Sequence, residues 1–144
     1  TARDVLQEGF IKLFNKIDSF SGTGAFGGWV RRIFVTTALE HLRQNDALKH
    51  SANLEDVGNY IENVEETVLQ KISADDLMNC IAALADGYRT IFNLYAIEGY
   101  SHAEIAEMLG ITEATSRSQF MRARKILQKN VLSLHGKEYA EQYK

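Results

Sequence analysis

The segment SHAEIAEMLGITEATSRSQ, residues 101–119, contains two short helical patterns that meet at Gly110 with almost no loop between them. Ser101 followed by Glu104 is a capping box, in which the hydroxyl accepts from a helix N–H and the carboxylate reaches back, so a helix should begin there. Gly110 can adopt the left-handed conformation that ends a helix, and Thr112 can cap the next one. The spacing predicts a helix-turn-helix, whose second helix is positioned to enter a DNA major groove.

The second helix of this pair separates an apolar face from a polar and basic face. Ser116, Phe120, Ala123 and Leu127 recur at steps of four, three and four, which predicts that they face inward. The opposite side and its flanks carry small residues first and cations further along: Ala114, Thr115, Arg117, Ser118, Arg122, Arg124 and Lys125. Small residues permit close approach to base edges, and arginines and lysines bind phosphates or guanines. The alternative is an ordinary αα-hairpin with a solvated basic face.

Charge is distributed unevenly along the chain, whose formal net charge is −3. Residues 113–129 contain five basic residues and one acid, a net charge of +4, whereas residues 45–76 contain eight acids and two lysines, a net charge of −6. The negative total excludes a uniformly basic nucleic-acid binder, so the concentration of cations in one helix is the informative feature. The acidic segment is typical of a linker.

Composition favours an all-α protein of modest size. The 144 residues are 45% hydrophobic and include no proline, the strongest helix breaker. The single cysteine, Cys80, excludes an intramolecular disulfide and a multi-cysteine metal site, and its expected role is a small buried hydrophobe. The four histidines show no ligand spacing, so neither metal nor cofactor is predicted. No apolar run approaches the ~18 residues of a membrane span, and we expect a cytoplasmic protein without membrane insertion.

Helical periodicity divides the chain into two small domains. In residues 4–17, Leu6, Phe10, Leu13, Phe14 and Ile17 form one predicted inward face, opposite Asp4, Glu8 and an exposed Ile11. A second helix is predicted at about residues 25–43, a third from near Val68, and a fourth between a break at Asp86-Gly87 and Gly99. The predicted boundaries are residues 1–44 for the first domain, 45–67 for the acidic linker, 68–132 for the helix-turn-helix domain and 133–144 for a tail.

Enzyme motifs fail on their context. Residues 22–27, GTGAFG, match the dinucleotide pattern G-x-G-x-x-G, but the preceding LFNKID continues a helix where that site requires a strand. The same glycine spacing fits a Walker A loop, yet Gly28-Trp29 stands where Lys-Ser/Thr is required. No serine lies in a nucleophile elbow. The prediction is a protein that is not an enzyme and has no catalytic residues.

Several motifs in the right order resemble bacterial RNA polymerase sigma factors of the extracytoplasmic-function (ECF) group, in the sigma-70 family. GYSHAEIAEMLGITEATSRSQFMRARKIL resembles their second conserved domain, region 4. DVLQEGFIKLFNKIDSF, AFGGWVRRI and TALEHLR resemble their region 2 helices. The resemblance implies a transcription initiation factor that binds core RNA polymerase and directs it to promoters through −10 and −35 elements. It also implies an anti-sigma partner.

The resemblance assigns roles to the matching positions. Asp4, Gln7, Glu8 and Phe10, with the neighbouring Ile11, match the helix that binds the clamp coiled coil of the polymerase largest subunit. Phe26, Trp29, Arg32 and Arg43 match the part that holds the opened −10 element, where an aromatic ring can support an unpaired base. The −35 reader corresponds to Thr112, Ala114, Thr115, Arg117, Ser118, Arg122, Arg124 and Lys125. Contacts with other polymerase subunits are also implied.

The sequence departs from the family pattern at several positions. Val35-Thr36 replaces a frequent Arg-Asn, Ser116 replaces a valine, and Ala85 replaces a proline. The resemblance also implies a helix before Asp4, so we expect a truncated or processed sequence with a less stable first domain. The main alternative function is a stand-alone helix-turn-helix regulator that binds duplex DNA as a dimer. A protein-interaction module without DNA binding would leave the basic face unexplained.

Overall fold

A computed structural model of the chain describes residues 1–44 and 72–142. Within those ranges it contains six α-helices and no strand, which confirms the predicted all-α fold. The chain divides into two compact units, residues 1–49 and 50–144. The predicted acidic linker, residues 45–67, lies outside the described part of the chain, so the proposed domain boundaries stay predictions.

The first unit is a helical hairpin whose close approach depends on one glycine. Helix α1 (Ala2–Lys16) is followed by a 3₁₀ turn (Ile17–Ser19) and, after a glycine-rich loop, by helix α2 (Phe26–Gln44). Gly9 is buried where α1 meets the ring of Phe34, and a Cβ at this position would lie 2.4 Å from two ring carbons. Thr37 and Leu39 are buried on α2. The absence of a side chain at Gly9 therefore sets how closely the helices pack.

The apolar stripe that was predicted to face inward on α1 is only partly covered. Leu6, Phe10, Phe14 and Ile17 are 45–69% exposed, and Leu13 alone of the five is half-buried. The prediction that this stripe faces inward is therefore wrong for most of its residues. The helix packs instead through Gly9 and its half-buried neighbours, because the side without a large side chain permits the closest approach. The predicted exposure of Ile11 is confirmed, at 61%.

The second unit packs three short helices against one long helix. They are α3 (Ala74–Ala82), α4 (Asp86–Phe92), α5 (His102–Leu109) and α6 (Glu113–Gln142), with a π-helical turn (Asn93–Ile97) after α4. The core cluster joins α3 and α4 to one side of α6 and consists of Cys80, Ile81, Leu84, Tyr88, Ala123, Leu127 and Val131. Burial of Cys80 agrees with its predicted role as a small hydrophobe.

Some local predictions in the second unit need correction. Asp86 and Gly87 lie within α4, and the break between α3 and α4 comes before them, because α3 ends at Ala82. The π-helical turn was not predicted. Helix α6 continues without interruption to Gln142, and the boundary of the predicted tail, residues 133–144, stays a prediction. None of the described helices combines the length and apolar character needed to cross a membrane.

Candidate nucleic-acid interface

The turn between α5 and α6 has the geometry predicted from its sequence. Ser101 Oγ accepts from the Glu104 N–H at 3.1 Å, and the Glu104 carboxylate accepts from the Ser101 N–H at 2.8 Å, which completes the capping box. Gly110 ends α5 with φ 67° and ψ 36°, in the left-handed region. Thr112 Oγ1 accepts from the Thr115 N–H at 3.1 Å and caps α6. A helix-turn-helix results, with three residues between its helices.

Helix α6 has one buried face and one exposed face, as expected. Ser116 and Ala123 are fully buried, and Leu127 is nearly so. Seven of the eight predicted reading residues are exposed, namely Thr112, Ala114, Thr115, Arg117, Ser118, Arg124 and Lys125, and Arg122 is half-buried. The Arg117 guanidinium forms an ion pair with Glu113, one turn earlier, and both side chains are about half exposed. Such exposed pairs contribute little stability and can exchange for a phosphate.

The first unit has a positively charged surface cavity of about 210 Å³ along α2. Three cations, Lys12, Lys16 and Arg32, line it together with one carboxylate, Glu40. Trp29 supplies an aromatic wall, and the remaining lining residues are Ser19, Ile33, Thr36 and Thr37. A cavity with this combination can hold a phosphate and stack a ring.

An aromatic cluster adjoins this cavity at the start of α2. The rings of Phe20, Phe26 and Trp29 lie 5.2–5.7 Å apart, centroid to centroid. Phe26 is nevertheless 47% exposed. These contacts fix the orientation of Trp29 while leaving aromatic surface open to a ligand.

Comparison with known proteins matches both units to one family. Residues 1–48 match the model of sigma-70 region 2, and residues 74–127 match that of sigma-70 region 4. The ECF RNA polymerase sigma-E factor of Haemophilus influenzae is 32% identical over 141 residues, which cover 91% of this chain and 75% of that protein. The factor of the same name from Escherichia coli is 32% identical over 142 residues, with 91% and 74% covered. The chain belongs to the ECF sigma factors.

A solved structure agrees with this assignment at the level of the fold. A co-crystal structure of the sigma factor RpoE with the anti-sigma factor NepR, from Bartonella quintana, matches with a TM-score of 0.56 and 21% identity. The match covers 90% of this chain and 79% of that one. Membership of the family confirms the predicted sigma factor function: the protein is a transcription initiation factor that acts with core RNA polymerase at promoters, and it is not an enzyme.

Three of the four residues predicted to contact the −10 element lie close together on α2 of the sigma factor. Phe26, Trp29 and Arg32 lie along the first two turns of α2, beside the cavity or its aromatic cluster. Arg43 lies eleven residues after Arg32, about 16 Å further along the helix axis at ~1.5 Å per residue. Arg43 is exposed but does not line the cavity. Phe20 was not among the predicted residues.

The predicted polymerase-binding residues of the sigma factor do not all face outward. Gln7, Phe10 and Ile11 are exposed on α1, and Asp4 is exposed at its first turn, where it forms a capping box with Thr1. Gln7 and Ile11, together with Phe14, lie on the side of α1 that points away from α2. Phe10 lies at the border of that side, because its ring also contacts Phe34 of α2. Phe14 was not among the predicted polymerase-binding residues, because its spacing assigned it to the apolar face of α1.

Glu8 is turned towards α2 and belongs to an ion-pair network between the two helices. Its Oε2 lies 2.7 Å from His41 Nε2, and its Oε1 lies 3.2 Å from Lys12 Nζ, which also pairs with Glu40. Hydrogen bonds from His41 and then Lys12 lower the pKa of the Glu8 carboxyl below its ordinary value of 4.5. The hydrogen bond to Glu40 raises the pKa of Lys12. Sequence alone placed Glu8 on the opposite face, because the Gly9 contact was not recognised.

The exposed face of α6 includes two residues that were not among the predicted reading residues. Met121 is 48% exposed. It lies three residues after Ser118 and four before Lys125, and therefore shares their face. An apolar side chain there can contact a thymine methyl group. Lys129 is exposed one turn further along. Helical spacing places Met121 on this face, although its side chain is neither small nor cationic.

Proposed function

We propose that the sigma factor reads the −35 element with the exposed face of α6, holds the opened −10 strand at the cavity of α2, and binds polymerase through α1. The observation that carries the proposal is the two-sided character of α6. Its inward face is closed by Ser116, Ala123 and Leu127. The face left open presents small side chains at its N-terminal end and cations beyond them, in the order that suits base edges and phosphates.

The α1 surface suits a protein partner. Phe10, Ile11 and Phe14 are 50%, 61% and 69% exposed, and they form a contiguous apolar patch on one side of the helix. Contiguous exposed apolar surface marks interaction sites. Gln7 and Asp4 border the patch and supply polar contacts at its edge. The clamp coiled coil of the polymerase largest subunit is the proposed partner, and contacts with other subunits are included in the proposal.

The α2 cavity suits an unpaired nucleotide. Lys16 and Arg32 supply positive charge for a phosphate, and Trp29 supplies a ring face on which a base can stack. Its volume of about 210 Å³ is of the size of a single nucleotide's base and sugar rather than of a duplex. The exposed ring of Phe26 extends the stacking surface beyond the rim.

The proposal extends to regulation and location. The Bartonella sigma factor was crystallised with an anti-sigma factor. We propose that this chain also has an anti-sigma partner, and that the apolar patch of α1 is among the surfaces it covers. Because transcription takes place on chromosomal DNA inside the bacterial cell, we propose that the sigma factor works in the cytoplasm.

The −35 assignment is tested with Arg122→Ala in purified holoenzyme on promoter duplexes, with affinity measured over a series of salt concentrations. Loss of one cation at the interface should weaken binding about tenfold and lower the salt slope by about 1. Arg3→Ala removes the same charge from α1 and is the control for net charge. Unchanged affinity of Arg122→Ala at low salt would contradict the assigned face.

The α1 assignment is tested by comigration of the chain with core RNA polymerase on size exclusion. Ile11→Lys places a charge within the apolar patch and should abolish comigration, because desolvating an unpaired ammonium is costly. Asn15→Lys adds the same charge at an exposed position to one side of the patch and should comigrate as the parent chain does. Equal binding by both variants would exclude the patch as the polymerase surface.

A further inference from the structure

A buried hydroxyl connects the two helices of the helix-turn-helix. Ser116 is fully buried on the inward face of α6, among residues that are otherwise apolar. Its Oγ lies 2.9 Å from Nδ1 of His102, the first residue of α5. The two residues are fourteen positions apart in sequence, so this hydrogen bond is a tertiary contact between α5 and α6. The mechanism proposed above makes no use of it.

The imidazole of His102 is held in place on more than one side. It stacks on Tyr95 of the π-helical turn, with ring centroids 4.2 Å apart and planes 9° from parallel. Phe120 of α6 meets it edge-on at 5.8 Å and also contacts Tyr95 at 4.6 Å. Phe92 stacks on Phe120 from α4. The ring that bonds Ser116 is therefore oriented by both the π-helical turn and α6.

A directional bond at this position restrains motions that apolar packing allows. Burial of Ala123 and Leu127 is non-directional, so a small rotation of α6 about its axis would keep most of it. The same rotation would break the bond between Ser116 and His102, because hydrogen bonds depend steeply on distance and angle. A buried hydroxyl left without its partner is costly, and satisfied buried polar contacts make a packing arrangement unique.

We propose that His102 and Ser116 are positioning residues for promoter recognition. Their hydrogen bond fixes the rotation of α6 against α5, and thereby sets which side chains α6 presents to the −35 base pairs. Ser116 lies two residues from Ala114 and two from Ser118, within the same rigid turn of helix. The inference rests on the proposed reading role of α6, and it adds residues that do not themselves contact DNA.

The test measures base preference rather than affinity alone. A promoter that the parent holoenzyme binds is first selected, and its −35 positions are then randomised to give a pool. Holoenzyme containing each full-length variant is tested for the −35 sequences that it prefers in this pool. Ser116→Val removes the hydroxyl and fills the space, and His102→Phe keeps a ring for the Tyr95 stack without the hydrogen bond. Each should reduce discrimination between preferred and disfavoured sequences about three- to tenfold, the effect of one net hydrogen bond.

Two further variants make the result specific. The double variant should be no worse than either single variant, because both remove the same bond. Ser116→Thr retains a hydroxyl and should keep the parent preference. The salt slope should stay at the parent value in all of them, because no cation is removed. A merely structural role would lower the unfolding temperature without changing the base preference of the folded fraction.

The outcomes separate this inference from the proposed function. If Arg122→Ala weakens binding while Ser116→Val and His102→Phe keep the parent base preference, the positioning role is wrong and the reading face stands. If Arg122→Ala also has no effect, the reading face itself is wrong. Should Ser116→Val fail to fold, His102→Phe decides, because its half-buried ring position tolerates an aromatic replacement. If His102→Phe has the same base preference as the parent holoenzyme, the inference is overturned.

Discussion

Replacing Gly9 by alanine would place a methyl group in the ring of Phe34. The Cβ would lie 2.4 Å from two ring carbons, whereas carbon atoms pack at about 3.5–4.0 Å, so the ring must retreat by about 1 Å. Overpacking of this kind costs about 1–3 kcal/mol, and the displaced ring also loses part of its edge-on contact with Phe10, now at 5.1 Å. The higher helix propensity of alanine offsets about 1 kcal/mol of this cost. We expect a net loss of about 0–2 kcal/mol.

The assay is denaturant unfolding followed by tryptophan fluorescence. Trp29 is the single tryptophan of the chain and lies in the first unit, so its signal reports the unfolding of that unit. Gly28→Ala is the matched control in the same unit, because a Cβ at Gly28 meets nothing within 4 Å; it should stabilise by about 0.5–1 kcal/mol. If Gly9→Ala were as stable as Gly28→Ala, the contact with Phe34 would not limit helix approach.

Three further predictions concern the turn, the ion-pair network and the reading face. Gly110→Ala should destabilise the second unit by about 1 kcal/mol through its left-handed backbone alone, because a Cβ there meets nothing within 4 Å. Gly136→Ala in helix α6 should not destabilise it. Circular dichroism during thermal unfolding distinguishes the two variants. Because the pKa of the Glu8 carboxyl is lowered in the folded protein, the ionised carboxylate stabilises the first unit at pH values above its ordinary pKa of 4.5. This stability is lost as the pH falls through the lower pKa of the folded state. Glu8→Gln should therefore flatten the acid limb of the stability profile that Trp29 fluorescence reports, and an unchanged limb would count against the network. Met121→Ala should weaken preference at one −35 base pair without changing the salt slope, as measured by binding to singly substituted duplexes.

The helix-turn-helix could be predicted almost completely because its signals are local. The capping box at Ser101 and Glu104, the left-handed Gly110 and the cap at Thr112 each act within four residues, and all are found as expected. The inward face of α6 also followed from helical spacing. The hydrogen bond between Ser116 and His102 could not be predicted, because a serine on an apolar face carries no sequence signal for its distant partner.

The first unit was harder to predict because its packing depends on tertiary contacts. Large apolar side chains at Leu6, Phe10, Phe14 and Ile17 indicated an inward face, yet α1 packs through Gly9. A glycine adds nothing to an apolar pattern, so its role appears only when Phe34 is placed against it. The cavity residues Lys16, Ser19 and Thr36 come from two helices and the turn between them, and no spacing rule joins them.

The network of Glu8, His41, Lys12 and Glu40 would couple the two ligands proposed for the first unit, polymerase and the opened promoter strand. Lys12 pairs with Glu8 of α1 and Glu40 of α2, and it also lines the cavity proposed for the promoter strand. A phosphate that draws Lys12 away removes a partner from both Glu8 and Glu40, so binding at the cavity changes the contact between α1 and α2. Linkage is reciprocal, so the factor by which polymerase alters affinity for the opened strand equals the factor by which that strand alters affinity for polymerase.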